Sequence, residues 1–190
     1  MADPAATRVS FVIDAKVSRL TIKVTATGIL SALGHNPIVT ARGFSGDVEC
    51  VPDTFADASL RFRVRADTLT VQDGANEKDR REIERLMKGD VLETGKFPEI
   101  VFESTSIVVT TPASGPRQAQ VSGRLSLHGV SRELTMPVGV AVMGTMLRAN
   151  SEFVIRQTDF GITPVSVAGG ALKVKDDLQC AFDIVARLRQ

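Results

Sequence analysis

The sequence predicts an all-β fold, a closed barrel or sandwich of antiparallel strands with one amphipathic helix inserted near residues 76–88. Three observations predict it. Apolar residues alternate with polar ones through most of the chain, the period of a strand with one face in a core and one in water. Turn-forming stretches such as "TTPASGPR" and "LHGVSR" separate many of the alternating runs. One charged stretch, "NEKDRREIERLMKGD", breaks the alternation and has a helical period instead.

The runs lie near 8–14, 17–27, 37–50, 58–68, 99–110, 118–128, 132–143, 146–156 and 172–188. In "RLTIKVTA", Leu20, Ile22, Val24 and Ala26 share one face and Arg19, Thr21, Lys23 and Thr25 the other. "ASLRFRVRA" places Leu60, Phe62, Val64 and Ala66 opposite Ser59, Arg61, Arg63 and Arg65. "QVSGRLSLHG" sets Val121, Leu125 and Leu127 against Ser122, Arg124, Ser126 and His128, and "ELTMPVGVAV" groups Leu134, Met136, Val138, Val140 and Val142. "DLQCAFDIVARL" aligns Leu178, Cys180, Phe182, Ile184, Ala186 and Leu188. Many strands with short connections and polar outer faces suit a barrel or sandwich.

The helical stretch has Asn76 as N-cap, Asp79 at N3, i,i+4 pairs Glu77–Arg81 and Glu84–Lys88, and Gly89 as its C′ residue. Ile83, Leu86 and Met87 form a narrow stripe that should rest on the barrel, with the charges in solvent.

The 190 residues suit one domain, with a disordered start at 1–7. There are 23 basic and 22 acidic side chains, a net charge of +1, too even to advertise a polyanionic partner. With no Trp or Tyr, the chain lacks the usual stacking platforms of a nucleic-acid groove. Cys50 and Cys180 form no metal-ligand pattern and read as two buried free thiols. No stretch approaches the ~20 apolar residues of a membrane helix. The start "MADPAATRVS" lacks an apolar run, so a cytoplasmic location is expected as given, and a periplasmic one if the start has been processed or replaced.

Catalytic motifs are missing. "GDVLETGK" resembles a phosphate loop, but five residues separate its glycines and Phe97 stands where Ser or Thr is needed. Arg61, Arg63 and Arg65 read as an outward strand face, with Phe62 pointing the other way. An acid–base reading would pair His35 or His128 with Asp159 or Glu152, but nothing in the sequence brings these together. His128 reads as a turn residue. No metal and no cofactor is expected.

Several stretches, in order, resemble the YceI-like family. They are "FVIDAKVSRLTIKVTA", "LGHNPIVTARGFSGDVEC", "ASLRFRVRADTLTV", "EKDRREIERLM", "GKFPEIVFESTSI", "VSGRLSLHGVSRELTMPV", "FVIRQTDFGI" and "DDLQCAFDIVARL". The resemblance runs from about Val9 to Leu188, with "FPEIVFES", "GRLSLHGVSRELTMPV" and "RQTDFGI" the most specific parts. It implies an eight-stranded antiparallel lipocalin-like β-barrel whose apolar interior holds an isoprenoid or another long-chain amphiphile. Eight strands leave an interior just wide enough for packed side chains or one slender ligand.

The expected lining is Leu20, Ile22, Phe62, Val64, Phe102, Phe153, Phe182 and Ile184. Candidate mouth residues, for a head group, are His35, Arg156 and Asp159. His35, in "SALGHNP", either hydrogen-bonds within its turn or offers a ring N–H to the ligand. Arg156 and Asp159 read as a buried pair that either fixes its loop or caps a ligand head. The expected function is non-catalytic binding or transport of a long-chain lipid or isoprenoid, with a homodimer left open. The rivals are a packed structural or partner-binding barrel and an enzyme acting on an apolar substrate inside it.

Overall fold

The computed structural model describes residues 7–27, 36–52, 54–72, 77–110, 117–167 and 172–189. In chain order these form β1 (Val9–Ile13), β2 (Arg19–Lys23), β3 (Ala26–Thr27), β4 (Ile38–Ala41), β5 (Phe44–Cys50), β6 (Ser59–Arg65) and β7 (Leu69–Gln72). Then follow helix α1 (Glu77–Leu86), β8 (Glu99–Thr110), β9 (Arg117–Leu127), β10 (Val130–Met143), β11 (Met146–Arg156), β12 (Ser166–Val167), β13 (Leu172–Val174) and β14 (Asp177–Leu188).

Eight antiparallel strands close the barrel in the order β1-β5-β6-β8-β9-β10-β11-β14, and β14 returns to β1. β14 serves two neighbours on that side: Ala186–Leu188 pair with β1, while Gln179–Asp183 pair with β2. From β2 the sheet continues through β4 to β7. The run expected at 17–27 stops at Lys23 before the short β3, and the run at 37–50 is broken at 42–43, where its first half, β4, lies outside the closed ring; the run at 58–68 forms β6 and a turn, after which β7 leaves the ring.

Local side-chain chemistry explains the breaks. The Asp14 carbonyl accepts from Ser18 Oγ at 2.7 Å and Val17 N at 3.3 Å, turning the chain between β1 and β2. Thr68 Oγ1 donates to the Arg65 carbonyl at 2.7 Å and accepts from Gly43 N at 2.9 Å. That joins the break at 42–43 to the 3-10 turn Ala66–Thr68. Such side-chain-to-backbone bonds offer the chain an alternative to the ladder. Period two alone does not reveal them.

The charged stretch is helical, but it does not end at Gly89. α1 passes into a wide turn over Met87–Val91, where Leu92 N donates to the Met87 carbonyl at 2.9 Å. The left-handed residue that follows is Glu93, with φ +43. The wide turn keeps Met87, Val91 and Leu92 on the barrel side. Glu77–Arg81 and Glu84–Lys88 pair as expected, whereas Asn76 lies outside the described residues.

α1 and the segment to Phe97 form a strap at the parted end of the barrel. Glu84 Oε1 accepts from the backbone N–H of Val71 in β7 at 2.8 Å. On the other side, His128 Nε2 meets Glu93 Oε2 at 2.8 Å. His128 and Gly129 carry φ +52 and +74, the paired left-handed conformations of a tight hairpin turn between β9 and β10. Phe97 packs edge-on to His128 with ring centroids 4.6 Å apart, and lies where a Cβ on Gly129 would stand. His128 is thus a turn residue as expected, and it also ties the strap to the hairpin.

Candidate ligand cavity

The alternating residues of the barrel strands point inward and enclose a cavity of about 460 Å³. Pockets for small molecules commonly measure about 300–1,000 Å³. All eight expected lining residues reach it: Leu20 and Ile22 from β2, Phe62 and Val64 from β6, Phe102 from β8, Phe153 from β11, and Phe182 and Ile184 from β14. Phe62 and Phe102 stand directly opposite across β6 and β8. Phe153 and Phe182 meet edge to face at 6.3 Å.

The cavity runs most of the barrel's length. At the ring end it reaches Phe55, Ala119, Val140 and Leu147, and at the strap end Ala26, Pro37, Val165 and Val174. From Ile184 to Leu178 along β14 is about 20 Å at strand rise. Phe55 is 6% exposed and holds φ +55, a strained conformation for a bulky residue. The Arg117 guanidinium lies 5.4 Å from its ring centroid, and Arg117 Nη1 donates to the Pro52 carbonyl at 3.4 Å. This turn covers the ring end of the cavity with a buried aromatic.

Several lining residues were not legible as such. The helix stripe Ile83, Leu86 and Met87, with Val91 and Leu92, forms part of the wall and does not merely rest on the barrel's outside. Gln157 also lines the cavity and is 5% exposed. Its signal was present: Phe153 and Ile155 face inward, and period two carries that parity to Gln157. Phe55 gave no periodic signal, because it stands alone in a turn.

The polar candidates fare differently. Arg156 and Asp159 do pair, at 3.3 Å, but their side chains are 60% and 46% exposed and they do not line the cavity. The pair is at the surface, not buried, because both residues fall on the outward side of a chain whose inward residue is Gln157. Arg132 Nε donates to the Asp159 carbonyl at 2.8 Å, so this corner is braced from β10 as well. His35 lies outside the described residues. Among the described residues that line the cavity, Gln157 is the one with a side-chain nitrogen or oxygen. Cys180 also reaches the wall, and burial pushes its thiol up to about 12, so it stays protonated and weakly reactive. Cys50 and Cys180 are both buried and free.

Outside the barrel the arginine ladder is neutralised. Arg61 pairs with Glu103 at 2.9 Å, Arg63 with Glu99 at 3.9 Å and Arg65 with Asp67 at 2.8 Å. A row with a carboxylate against each guanidinium is a poor phosphate surface. No helix among the described residues is long and apolar enough to cross a membrane.

Comparison with known proteins agrees with this geometry. A UPF0312 protein of Shewanella sp. strain ANA-3 is 29% identical over 137 residues, covering 72% of this chain and 64% of that protein. A UPF0312 protein of Vibrio parahaemolyticus is 31% identical over 93 residues, 49% of this chain and 44% of its own length. The matches thus span between under half and just under two thirds of these relatives. Among solved structures, Burkholderia cenocepacia BcnA superposes with a TM-score of 0.71 at 20% identity, covering 91% of this chain and 98% of that one. A polyisoprenoid binding domain from Saccharophagus degradans superposes with a TM-score of 0.67 at 12% identity, covering 95% and 99%. At such identities these two likenesses establish the shared barrel. Residues 1–186 match the YceI-like domain, and the chain belongs to that family.

Proposed function

We propose that this barrel binds or carries one long-chain apolar amphiphile, of isoprenoid or fatty-acyl type, without transforming it. The observation that carries this reading is the cavity of about 460 Å³, walled by aliphatic and aromatic side chains along the barrel. Each CH₂ moved from water into such a wall contributes about 0.8 kcal/mol, so a tail of ten carbons offsets the usual ordering costs of binding. The Saccharophagus degradans neighbour, a polyisoprenoid binding domain, supports the same ligand class. A barrel fully packed with side chains would leave no such space. An enzyme would need a polar cluster at the substrate, and the described wall offers one amide and one protonated thiol.

In this reading Leu20, Ile22, Phe62, Val64, Phe102, Phe153, Phe182 and Ile184 contact the chain of the ligand. Arg156 and Asp159 serve by holding their corner, not by touching the head group. For His35 the mouth reading expects that His35→Ala lowers affinity and leaves the melting temperature nearly unchanged, whereas a variant that melts lower and binds normally assigns His35 to its turn.

Mass spectrometry of an organic extract tests the function. Protein purified without detergent is compared with an unrelated protein from the same host. A stoichiometric isoprenoid or fatty-acyl species is expected. An empty extract, joined to no uptake of added long-chain probes, would sink the reading.

A further inference from the structure

Gln157 is a polar side chain in an apolar wall, and its own bonds define what it can offer. Its backbone N–H donates to the Asp176 carbonyl at 3.1 Å, and its carbonyl accepts from Ile162 N at 3.1 Å. Its side-chain Nε2 donates to the Lys175 carbonyl at 2.9 Å. That bond fixes the amide orientation, because the flipped amide would set two oxygens face to face. Oε1 is left as the free end, and no described group donates to it. The contrast with Ser151 is direct. Ser151 shares the inward parity of β11, but its hydroxyl donates to the Pro137 carbonyl. Gln157 is 5% exposed, and it lines the cavity. An amide oxygen in an apolar lining with no protein donor is a ready acceptor for a donor carried by whatever fills the cavity.

We infer that Gln157 Oε1 is the inner polar contact of the cavity and selects a ligand whose head group is a neutral hydrogen-bond donor, a hydroxyl above all. This rests on the proposed binding function and narrows it. A carboxylate or phosphate would bring acceptors to an acceptor. No Lys, Arg or His among the described residues lines the cavity to neutralise it, and an unpaired buried anion is strongly disfavoured. The anchor is rigid before the ligand arrives, since Gln157 is held at three points and the next residue is clamped as well. Thr158 N and Oγ1 both donate to Asp176, at 2.9 Å and 2.6 Å.

The test compares farnesol with farnesyl methyl ether, which keeps the chain and oxygen but loses the donor. Each displaces a neutral environment-sensitive dye from the full chain, whose lack of Trp and Tyr leaves the fluorescence window clear. In the wild type the alcohol-to-ether affinity ratio should exceed the ratio of their partition from water into hydrocarbon by roughly 10-fold or more, because hydrocarbon returns none of the hydrogen bonding the hydroxyl gives up in water and Oε1 returns one bond. Gln157→Met, of similar volume, should return the ratio to the hydrocarbon value while the ether binds as before. A wild-type ratio equal to the hydrocarbon value overturns the inference without any variant, so a misfolded variant does not rescue it. A raised ratio that persists in a folded Gln157→Met variant overturns it too. In either case the cavity still binds, and the proposed function stands. If neither compound displaces the dye or is taken up, the binding function itself fails, and this inference with it.

Discussion

Two walls of the barrel are built differently. One is made of long strands: β8, β9, β10, β11 and β14 have 12, 11, 14, 11 and 12 residues. The register runs the length of β8–β9, β9–β10 and β11–β14 with one bulge at Ser104–Ser106, while β10 and β11 pair over Gly139–Met143 and Met146–Asn150. The other wall is made of half-strands of 4–7 residues, β1 and β2, β4 and β5, β6 and β7. Near β1 the halves complete the ring. Past Gly43 and Thr68 they splay, and the strap fills the gap. The long strands line the cavity too, but their extended ladders hold them in place. The broken wall leaves a gap in that lining and closes it with a helix that is tied at its edges. Stability should therefore concentrate in the first wall and local opening in the second.

The largest expected effect tests that division. Phe102 of β8 is 5% exposed, and its ring lies 2.6 Å from where a Cβ on Gly123 would stand. Gly123 lets β8 and β9 approach and gives the ring its seat. Phe102→Ala should cost about 3–5 kcal/mol, as truncations of buried aromatics do. Ile22→Ala on the broken wall should cost about 2 kcal/mol, at the low end for such truncations, because Ile22 is only partly buried. Chemical denaturation of both variants decides it, and equal losses would break the comparison.

A smaller effect is expected at the strap. Glu84→Ala removes the acceptor of the Val71 N–H, a loss of about 1 kcal/mol for a bond of this type. Hydrogen exchange gives the sharper reading. Protection should fall at Val71 and along α1 while β9 and β10 keep theirs. A uniform loss across the barrel would mean that the strap and the long wall open as one unit.

The legible part of this molecule was the part governed by period two. Leu20, Ile22, Phe62, Val64, Phe102, Phe153, Phe182 and Ile184 could be placed on one surface because strand side chains alternate, whatever their neighbours. Gln157 was legible by the same rule but is easily passed over, since polarity suggests an outward position. The breaks at 42–43 and 66–68 depend on Thr68 reaching Gly43, two residues 25 apart in sequence. Nothing local signals that contact. Nor does the stripe of Ile83, Leu86 and Met87 say whether it covers a filled core or an open space. Arg156 and Asp159 were rightly paired, but spacing alone could not say how exposed the pair is.

The pH response separates a local clamp from general acid unfolding. Hydrogen bonds from the Thr158 side chain and backbone hold the Asp176 carboxyl below the usual carboxylate range. A depressed folded value means stabilisation that is full above the unfolded pKa, about 4, and lost as pH falls through the folded value. Thr158→Val removes one of the two donors. Its melting temperature should fall below the wild type's at pH 6, and the gap should narrow as pH drops through the folded value and the carboxyl takes up its proton. A gap that persists in acid would assign the loss to packing.

The smallest effect is expected on the outer face of the junction between the walls. Arg61 of β6 and Glu103 of β8 sit directly opposite at 2.9 Å, with side chains 53% and 55% exposed. The geometry is good, but water screens both charges and ordering two long side chains costs entropy. Pairs of this kind contribute about 0.2–1 kcal/mol. Arg61→Ala should stay within that range, and the difference should shrink as salt rises, because the screening length falls from about 10 Å at 0.1 M to about 3 Å at 1 M. Phe62, the next residue, faces the cavity instead. If Arg61→Ala cost more than this and were insensitive to salt, its aliphatic stem would be covering the seam where the broken wall meets the long one. The seam would then owe its cohesion to packing outside the barrel as well as within it.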